Sequence, residues 1–590
     1  MRNKFMLAES YERAGDYEKA NEIYGSLYVL DASNFSYFSA YVRTCQLLKL
    51  YEDAEKAINN RIQFYGEDLQ TIGMLGKNYF YKGDENQAFA VWDDYIKRKG
   101  STDPFIYKQI ASFAMEIRAF DKAISYLLVG LNETGQIEMY GFDLAYLYGI
   151  VMNYERSAAI YREMLEKIPQ QAGSVEAHSK RFLNNREALE IFISVMEPAS
   201  KGYNAAVYKY LASLYVMASQ YDDALRIYLI IDESSEEKGM GVYNFGMQAF
   251  YASQFEPASK AFEYLINKYP NANYLPNIKL HNVKALEGAL QIEFNLLNPS
   301  WKENYEVKFP DKKRYHSVIE KYEEVAKIYL KSEVETEALF RIAAIYYLLG
   351  LYDDSKEFLQ IILDEKGSSP FASNAYYYLG LIQIQENRLN EAIQFFKKSL
   401  LSFTTEPEVH QLAKYNLMMT HIFLGDFENA SPVLIELMGN LKDNLANDVI
   451  ELSIIVNKNL SDSITLVKFG FGELQIRQGN FDTAIKIFEE LASNKEAFLV
   501  SNLSLFRIAE IYAGLNKFDE AITALNRVTE TENNIYADRA LMLLAAIYKH
   551  GINDNTKAIE TYEKVLINYP NSIFLDKARE EILAIKNLKI

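Results

Sequence analysis

The stretch Gly15-Asp16-Tyr17-Glu18-Lys19-Ala20 constrains the fold of this chain more than any other. Apolar residues with helical spacing precede it, and a second set with the same spacing follows it, so it predicts two helices joined by a tight turn. Gly15 can adopt the left-handed conformation that ends one helix, and Asp16 can accept hydrogen bonds from the free amides that begin the next. Ala20 is small enough to let the two helices approach closely.

Degraded copies of this stretch recur along the chain. The small residue at its end marks the register, and clear copies are 34 or 35 residues apart in the first half and 37 or 38 in the second. One longer interval of 54 residues holds an extra helical segment, roughly Asn444 to Asn457. The markers are Ala20, Ala54, Ala88, Ala123, Ser157, a blurred copy at Ala188, Ala224, Ala258, Ser355, Ala392, Ala430, Ala484, Ala521 and Ala558.

A single hairpin of this size cannot bury both of its apolar faces, and the next copy supplies the missing cover. Length alone, at 590 residues, would suggest about four domains. Tandem hairpins instead stack into a solenoid in which each unit touches only its neighbours, so no single globular core is required. The repeat therefore predicts an all-α solenoid.

The copies resemble the tetratricopeptide repeat (TPR), a 34-residue helix-turn-helix with Leu-Gly, Tyr, Ala, aromatic and Pro residues at fixed positions. The resemblance covers almost the whole chain and implies a right-handed α-solenoid superhelix of about 13–14 TPR-like hairpins. Three of the matching sets are Leu75-Gly76, Tyr79, Ala88 and Trp92; Leu144-Ala145, Tyr148, Tyr161 and Pro169; and Leu211-Ala212, Tyr215, Ala224 and Tyr228.

Four regions are predicted from the register and from the prolines that end helices. The first array contains about eight repeats, one of them degenerate near Ala188, and the second contains about six, with a helical insertion near 441–460. The regions are an N-terminal array over 1–270, an atypical helical joint with a loop over 271–331, a C-terminal array over 332–572 and a capping helix over 573–590.

The joint is predicted to hold two helical pieces, about Tyr274 to Asn295 and Tyr315 to Leu330, around a loop that contains Trp301. This loop is long for a compact helical stack, and such loops are often functional or mobile. Trp301 is one of only two tryptophans in the chain. It either contacts a partner from an exposed position or packs on the neighbouring helices.

Net charge and hydropathy exclude two classes of partner. The net charge of −18 and the pI near 5.1 argue against nucleic-acid binding, which draws most of its affinity from Lys and Arg. A basic cluster that begins at Lys308 and ends at Arg314 is expected to be a solvated loop. No run of eighteen apolar residues exists, so the protein is predicted not to span a membrane.

No residue set typical of an enzyme is present. The six histidines lack the spacing of a metal site, and the glycine pairs near Gly239 and Gly470 do not follow a strand as a nucleotide-binding loop would. Cys45, the only cysteine, is at a position that points inward and is expected to be buried and inert. We therefore predict a protein that is not an enzyme and that has no cofactor and no metal.

The resemblance implies where a partner binds. In TPR superhelices the first helix of each hairpin lines the concave surface, on which family members often hold a peptide. The positions one and five residues after the leading aromatic residue are expected to face this groove. They are unusually aromatic, which favours recognition, although the same rings could pack between adjacent first helices instead. The predicted groove residues are Phe142, Tyr146, Tyr243, Met247, Phe250, Phe340, Tyr347 and Tyr377.

Two functions follow from this resemblance. The first is a non-enzymatic interaction scaffold that binds protein or peptide partners along the superhelix. The second is an exported accessory factor in bacterial envelope secretion or outer-membrane assembly. It is suggested by Tyr569-Pro570-Asn571-Ser572, an ending similar to TPR proteins of bacterial envelope assembly.

Residues 1–4 do not lead into the apolar core of a secretory signal. The chain as written is therefore expected to be cytoplasmic, and periplasmic or associated with the outer membrane if an N-terminal signal has been removed. The first repeat of the chain as written is uncapped, and self-association into a homo-oligomer is expected to use its open face.

Overall fold

The protein is helical throughout the part of the chain that its computed structural model describes. Within that part no strand occurs, which confirms the all-α prediction. The chain divides into two compact units, unit 1 (Met1–Phe245) and unit 2 (Gly246–Ile590). The described residues are 1–100, 103–197, 204–236, 238–366, 369–404, 406–439, 446–459, 462–494 and 496–587.

Unit 1 is a series of helices, most of which pack against the next helix along the chain. The boundary of the unit falls within its last helix, and a short 3-10 turn at Pro169–Gln171 precedes α11. The helices are α1 (Arg2–Arg13), α2 (Tyr17–Leu30), α3 (Phe35–Leu47), α4 (Tyr51–Tyr65), α5 (Leu69–Lys82), α6 (Glu85–Lys99), α7 (Phe105–Glu116), α8 (Phe120–Thr134), α9 (Ile137–Ile150), α10 (Tyr154–Lys167), α11 (Ala172–Ser179), α12 (Arg186–Met196), α13 (Ala205–Met217), α14 (Tyr221–Glu233) and α15 (Met240–Tyr251).

Unit 2 continues with the same kind of packing, helix against next helix. Its helices are α16 (Phe255–Lys268), α17 (Leu275–Leu297), α18 (Lys312–Ile328), α19 (Glu333–Leu348), α20 (Tyr352–Lys366), α21 (Ala372–Gln385), α22 (Leu389–Leu401), α23 (Pro407–Phe423), α24 (Phe427–Met438), α25 (Ala446–Asn459), α26 (Ser463–Arg477), α27 (Phe481–Ala492), α28 (Phe498–Gly514), α29 (Phe518–Glu530), α30 (Ala537–Ala546), α31 (Asn555–Asn568) and α32 (Leu575–Asn587).

The small marker residue of each copy lies where the second helix of a hairpin meets the first. All fourteen markers, from Ala20 to Ala558, are buried with 0% of their surface exposed. Two of them are serines, and both hydroxyls donate to a carbonyl oxygen of the first helix: Ser157 to Ala145 at 2.7 Å and Ser355 to Ala343 at 2.8 Å. The hydroxyl is thereby satisfied in a contact that has no room for a larger side chain.

The turn between the two helices has the same conformation in all but one of the hairpins. At thirteen of the fourteen hairpins, all except that of Ala188, the residue five positions before the marker has a positive φ, such as 81° at Gly15 and 60° at Arg118. The next residue donates its N–H to a carbonyl of the first helix, as Asp16 does to Tyr11 at 2.9 Å. This is the bond that ends a helix in a left-handed turn. The Asp16 carboxylate also accepts from the Lys19 amide at 3.2 Å, which confirms its predicted capping role.

An additional residue in the last hairpin is absorbed within its first helix. Ten residues separate Tyr548 from Ala558, whereas nine separate Tyr11 from Ala20. The turn Ile547–Gly551 is a π-helix, which is the usual way for a helix to accept an insertion. The left-handed residue and the turn hydrogen bond are both preserved beyond it, with a φ of 61° at Asn553.

The stretch predicted to form the joint contains two helices. Its two helices, α17 and α18, differ by a few residues from the predicted pieces, and they pack between α16 and α19 like one further hairpin. The boundary between the two units lies between Phe245 and Gly246, and the predicted four-region division stays a prediction.

The helical insertion and the final helix also have counterparts. The insertion predicted near 441–460 corresponds to α25, although residues 441–445 and 460 lie outside the described residues. Of the capping helix predicted over 573–590, α32 covers Leu575–Asn587, and residues 588–590 lie outside the described part.

Replacing Ala392 with glutamate is expected to destabilise unit 2 by about 3 kcal/mol or more, because the site is closed and the new carboxylate has no partner there. Coupling in a repeat stack is local, so calorimetry should show unit 2 melting before unit 1. The matched control Q394E adds the same charge at an exposed position of the same helix and should leave the transition unchanged. A single cooperative transition of A392E would contradict local coupling.

Substituting Gly83 by alanine should cost about 1–2 kcal/mol, because its φ of 94° is unfavourable for a residue with a Cβ, although that Cβ would meet no atom within 4 Å. The control G173A places a Cβ in equally open space within α11, where alanine is favoured by up to about 1 kcal/mol. Chemical unfolding followed by circular dichroism measures both. Equal effects of the two substitutions would show that backbone conformation is not the cause.

Candidate peptide-binding groove

Six first helices of unit 2 contribute to one open cavity of about 660 Å³. A second cavity of about 350 Å³ follows it and is lined by residues of α28 and α30. We name the surface that carries both cavities the groove. The residues that the six helices place in the larger cavity include Tyr347 from α19, Gln385 from α21, Tyr415 from α23, Glu473 from α26, Arg507 from α28 and Arg539 from α30.

Aromatic side chains make up one wall of the larger cavity, among them Tyr347, Tyr352 and Tyr415. Burial raises the pKa of Tyr347 to about 12 and also raises the pKa of Tyr415. Both phenols are therefore neutral at physiological pH. They offer a partner flat apolar surface together with a hydroxyl that can donate or accept a hydrogen bond.

A network of five charged residues lies beside these rings. Arg507 donates to Glu473 at 2.9 Å, to Glu510 at 2.5 Å and to Glu451 at 3.4 Å, and Arg539 bridges Glu451 and Glu510 at 3.3 and 3.2 Å. Burial raises the pKa of Glu451 although both arginines favour its charged form. The network joins α25, α26, α28 and α30 and places paired charges in the groove.

The groove already holds a piece of the chain itself. Residues 299–307 are part of the connection between α17 and α18, and they lie against the hairpins from α26 to α31. One example is the hydrogen bond from Asn516 to Glu306, which joins residues 210 positions apart. We name them the 299–307 segment. The Asn298 side chain closes the neck of this loop, since it accepts from the Lys308 amide at 2.9 Å and donates to the Lys308 carbonyl at 2.6 Å.

Two aromatic rings anchor the segment. The Trp301 ring lies 6.1 Å from the Phe518 ring and stacks 5.5 Å from the His550 ring. The Tyr305 ring lies 4.6 Å from the ring of Phe481. Of the two alternatives for Trp301, the structure shows packing, and the helices it packs on are far along the chain rather than its neighbours.

Main-chain contacts hold the segment as well. The Tyr305 amide donates to the carbonyl oxygen of Gly514, the last residue of α28, at 3.3 Å. A Cβ on Gly514 would lie 2.4 Å from the Tyr305 ring, so glycine leaves the space that this ring uses. The Asn516 side chain adds a hydrogen bond to the Glu306 carboxylate at 3.3 Å.

The carboxylate of Glu303 lies between the two anchors. Burial, and then the neighbouring charge of Glu510, raise the pKa of Glu303, although Arg507 and Arg477 favour the ionised form. The groove is therefore an unfavourable place for a negative charge at this point of the segment.

Four stretches of the chain match tetratricopeptide-repeat family models. One model matches residues 3–29 and 539–572, and a second matches 346–405 and 469–535. The chain contains tetratricopeptide repeats. These matches confirm the repeat character predicted from the sequence. TPR repeats form protein-interaction scaffolds, which are generally non-enzymatic.

Among known proteins, the chain is similar to the outer membrane protein assembly factor BamD of Rickettsia prowazekii (strain Madrid E), with 24% identity over 192 residues. The aligned residues cover 32% of this chain and 67% of that protein. Similar solved structures include Naa15/Naa10 bound to HypK-THB, with a TM-score of 0.29, 13% identity and coverage of 99% of both chains. Yeast Tom70 has a TM-score of 0.26, 13% identity and coverage of 88% of this chain and 95% of its own.

Three of the predicted groove residues belong to the TPR hairpins of unit 1, and all three are half-buried. The Phe142 ring lies 4.6 Å from the His178 ring. The Tyr146 ring lies 6.1 Å from the Phe182 ring. Tyr243 is on α15. Their role as partner contacts stays a prediction.

Of the five predicted residues in unit 2, Tyr347 is the one that lines the larger cavity. Met247, Phe250 and Tyr377 are half-buried, and burial raises the pKa of Tyr377 to about 12. Phe340 is only 8% exposed, because its ring stacks between TPR helices on another aromatic ring at 5.4 Å. As partner contacts, these residues stay a prediction.

The described residues contain no group of three or more His, Cys, Asp or Glu side chains that could hold a metal ion. Across the same residues no helix is long and apolar enough to cross a membrane. The Cys45 side chain is buried, and burial raises the pKa of its thiol, which keeps it in the unreactive protonated form.

Replacing Arg507 with glutamine should destabilise unit 2 by about 3 kcal/mol at neutral pH, because three mostly buried carboxylates lose a counter-ion they share. Burial raises the pKa of Glu451, so acid protonates this carboxylate and relieves part of the repulsion, and the loss should be smaller near pH 5 than near pH 7. Urea unfolding at both pH values measures this dependence. The control R527Q breaks an exposed Arg–Glu pair and should cost about 1 kcal/mol or less. A pH-independent loss in R507Q would contradict the role of the network.

Proposed function

We propose that this protein is a non-enzymatic scaffold that binds an extended segment of a partner protein in the groove of unit 2. The observation that supports the proposal is that the groove holds the 299–307 segment through aromatic rings and a main-chain hydrogen bond. These contacts recognise an extended chain and do not depend on the segment being part of the same protein. A second chain with suitable side chains could make them equally well.

The charges in the groove favour a protein partner. Arg507 and Arg539 are paired with Glu451, Glu473 and Glu510, which leaves no run of basic groups to follow a phosphate backbone along these helices. The same pairing commits these side chains to holding the helices together, so we assign them a structural role and no catalytic one.

Tyr347 is the predicted partner contact for which the structure offers most support, since it lies in the wall of the larger cavity. We propose that a partner extends past the 299–307 segment onto this wall. Phe142, Tyr146 and Tyr243 are proposed as contacts for a partner on unit 1, and Met247, Phe250, Phe340 and Tyr377 as further contacts on unit 2.

Site-specific photo-crosslinking in native cells tests the groove. With benzoylphenylalanine at Tyr347, irradiation should crosslink a partner protein, and alanine at Tyr415 should reduce the yield by tenfold or more if its ring is an anchor. The control carries the probe at Ile435, which is 68% exposed on α24, the second helix of its hairpin. A partner that crosslinks from Ile435 and not from Tyr347 would place binding outside the groove.

A second function is proposed on the likeness to BamD. In this reading the scaffold is an accessory factor of bacterial envelope secretion or outer-membrane assembly, located in the periplasm or at the outer membrane. Fractionation of cells that express the gene from its natural start decides between the readings. Recovery with the periplasm or the outer membrane supports the second function, and recovery in the cytoplasm rejects it.

Self-association through the first repeat remains a further proposal. Met6 and Leu7 are exposed on α1, where an added hairpin would pack.

A further inference from the structure

We propose that the 299–307 segment is a built-in competitor for the groove, and that partner proteins enter the same groove with two aromatic side chains four residues apart. This inference rests on the proposed function and specifies the partner sequence that the groove accepts. It adds that access to the groove requires the protein's own segment to leave.

The spacing of the two rings follows the repeat. Phe481 and Phe518 are the first residues of α27 and α29, so they are equivalent positions in consecutive hairpins. Each of these positions contacts one ring of the segment, Tyr305 at the first and Trp301 at the second. Each hairpin therefore binds one aromatic side chain, and the two bound side chains are four residues apart along the bound chain.

The main chain of the segment is recognised at one point between these positions. The Gly514 carbonyl at the end of α28 has no partner within its own helix and accepts from the Tyr305 amide. Any peptide residue except proline can supply this amide. The missing side chain of Gly514 creates the space for the ring next to it.

The segment is suited to be displaced. Asn298 and Lys308 close its neck by two hydrogen bonds, so the loop can leave the groove without unwinding α17 or α18. Open cavities of about 350 and 660 Å³ flank it on both sides. It is therefore held by its two rings and a few polar contacts rather than by continuous packing.

The position between the rings favours a neutral side chain. Glu303 is faced by Glu510 and Arg507 of α28, Asp448 of α25 and Arg477 of α26, and the surroundings together disfavour its charge. A partner with a neutral residue at this position avoids that cost and should bind more tightly than the protein's own sequence. Because the bound carboxyl has a raised pKa, binding of the protein's own sequence should strengthen as the pH falls towards 5.

A peptide with the sequence of residues 299–308 tests the competition. It is labelled with fluorescein and titrated with full-length protein, and binding is read from fluorescence anisotropy. The double variant W301A/Y305A, whose segment has lost its anchors, should bind the peptide at least about tenfold more tightly than the wild type, where the tethered segment competes at an effective concentration of about millimolar. The same peptide with Glu303→Gln should bind more tightly and show little pH dependence.

A matched pair of glycine substitutions locates the bound peptide. Adding G514A to the double variant places a methyl group where the tyrosine ring of the peptide must lie and should abolish binding. Adding G173A introduces the same methyl group in α11, where it meets no atom within 4 Å, and should leave binding unchanged. Helicity by circular dichroism confirms that each variant is folded.

A second measurement uses the unmodified protein. Trp92 is fully buried in unit 1, so a change in tryptophan emission on adding peptide reports Trp301. Millimolar peptide in which Trp301 is replaced by Phe and Glu303 by Gln should shift the emission to longer wavelength as the segment leaves the groove. Unchanged emission at saturating peptide overturns the proposal. So does a folded double variant that fails to bind, or one that binds no better than the wild type.

The outcome is distinguishable from failure of the proposed function. If the peptide does not bind but a partner still crosslinks at Tyr347, the groove is an interaction site and the segment is not its competitor. If the peptide binds and no partner crosslinks there, the competition stands and the scaffold role in cells fails.

Discussion

The close contact between the two helices of each hairpin, made through one small buried side chain, determines the rest of this structure. It brings the helices together at Ala20 and at every later marker, and a left-handed turn precedes thirteen of the fourteen markers by five residues. That turn keeps its conformation even where arginine or methionine occupies it, because the contact on either side over-determines the backbone. Packing therefore overrides the local preference of the residue.

The groove is a consequence of this repetition. Since each hairpin repeats the geometry of the one before, equivalent positions of consecutive hairpins lie side by side, and residues distant in sequence share one surface. Phe481 and Phe518 are such a pair, and each contacts one ring of the 299–307 segment. The Arg507 network connects neighbouring first helices across the same surface, which holds the wall of the groove together without a continuous apolar core.

Much of the fold could be predicted from the sequence, because each hairpin is specified by local signals. The helical period, the turn at Gly15 and the small residue at Ala20 act within about twenty residues, and the same signals recur in later copies. The extra helix between Ala430 and Ala484 was predictable for the same reason, since it lengthens the interval between markers.

The site was less predictable. A rule based on position within the repeat selects Tyr347, which lines the cavity, and also Phe340, which is buried, because it says nothing about how rings of adjacent helices fill space. The docking of the 299–307 segment has no periodic signature, since an irregular loop meets hairpins about two hundred residues away. The signals that could have indicated it are two aromatic residues, Trp301 and Tyr305, in an overlong loop and a glycine at the end of α28.

Most contacts in this repeat protein join neighbouring hairpins, but the docked 299–307 segment adds contacts between residues about two hundred positions apart. In an unfolded chain, closing a loop of about two hundred residues costs conformational entropy that the contact between Trp301 and Phe518 alone does not offset. We therefore expect this contact to form after the hairpins between the two residues have folded. An incomplete chain, such as one still emerging from the ribosome, therefore displays both anchor rings to the solvent. The finished chain covers both rings in part, so their full exposure distinguishes an incomplete chain from a complete one whose segment is docked.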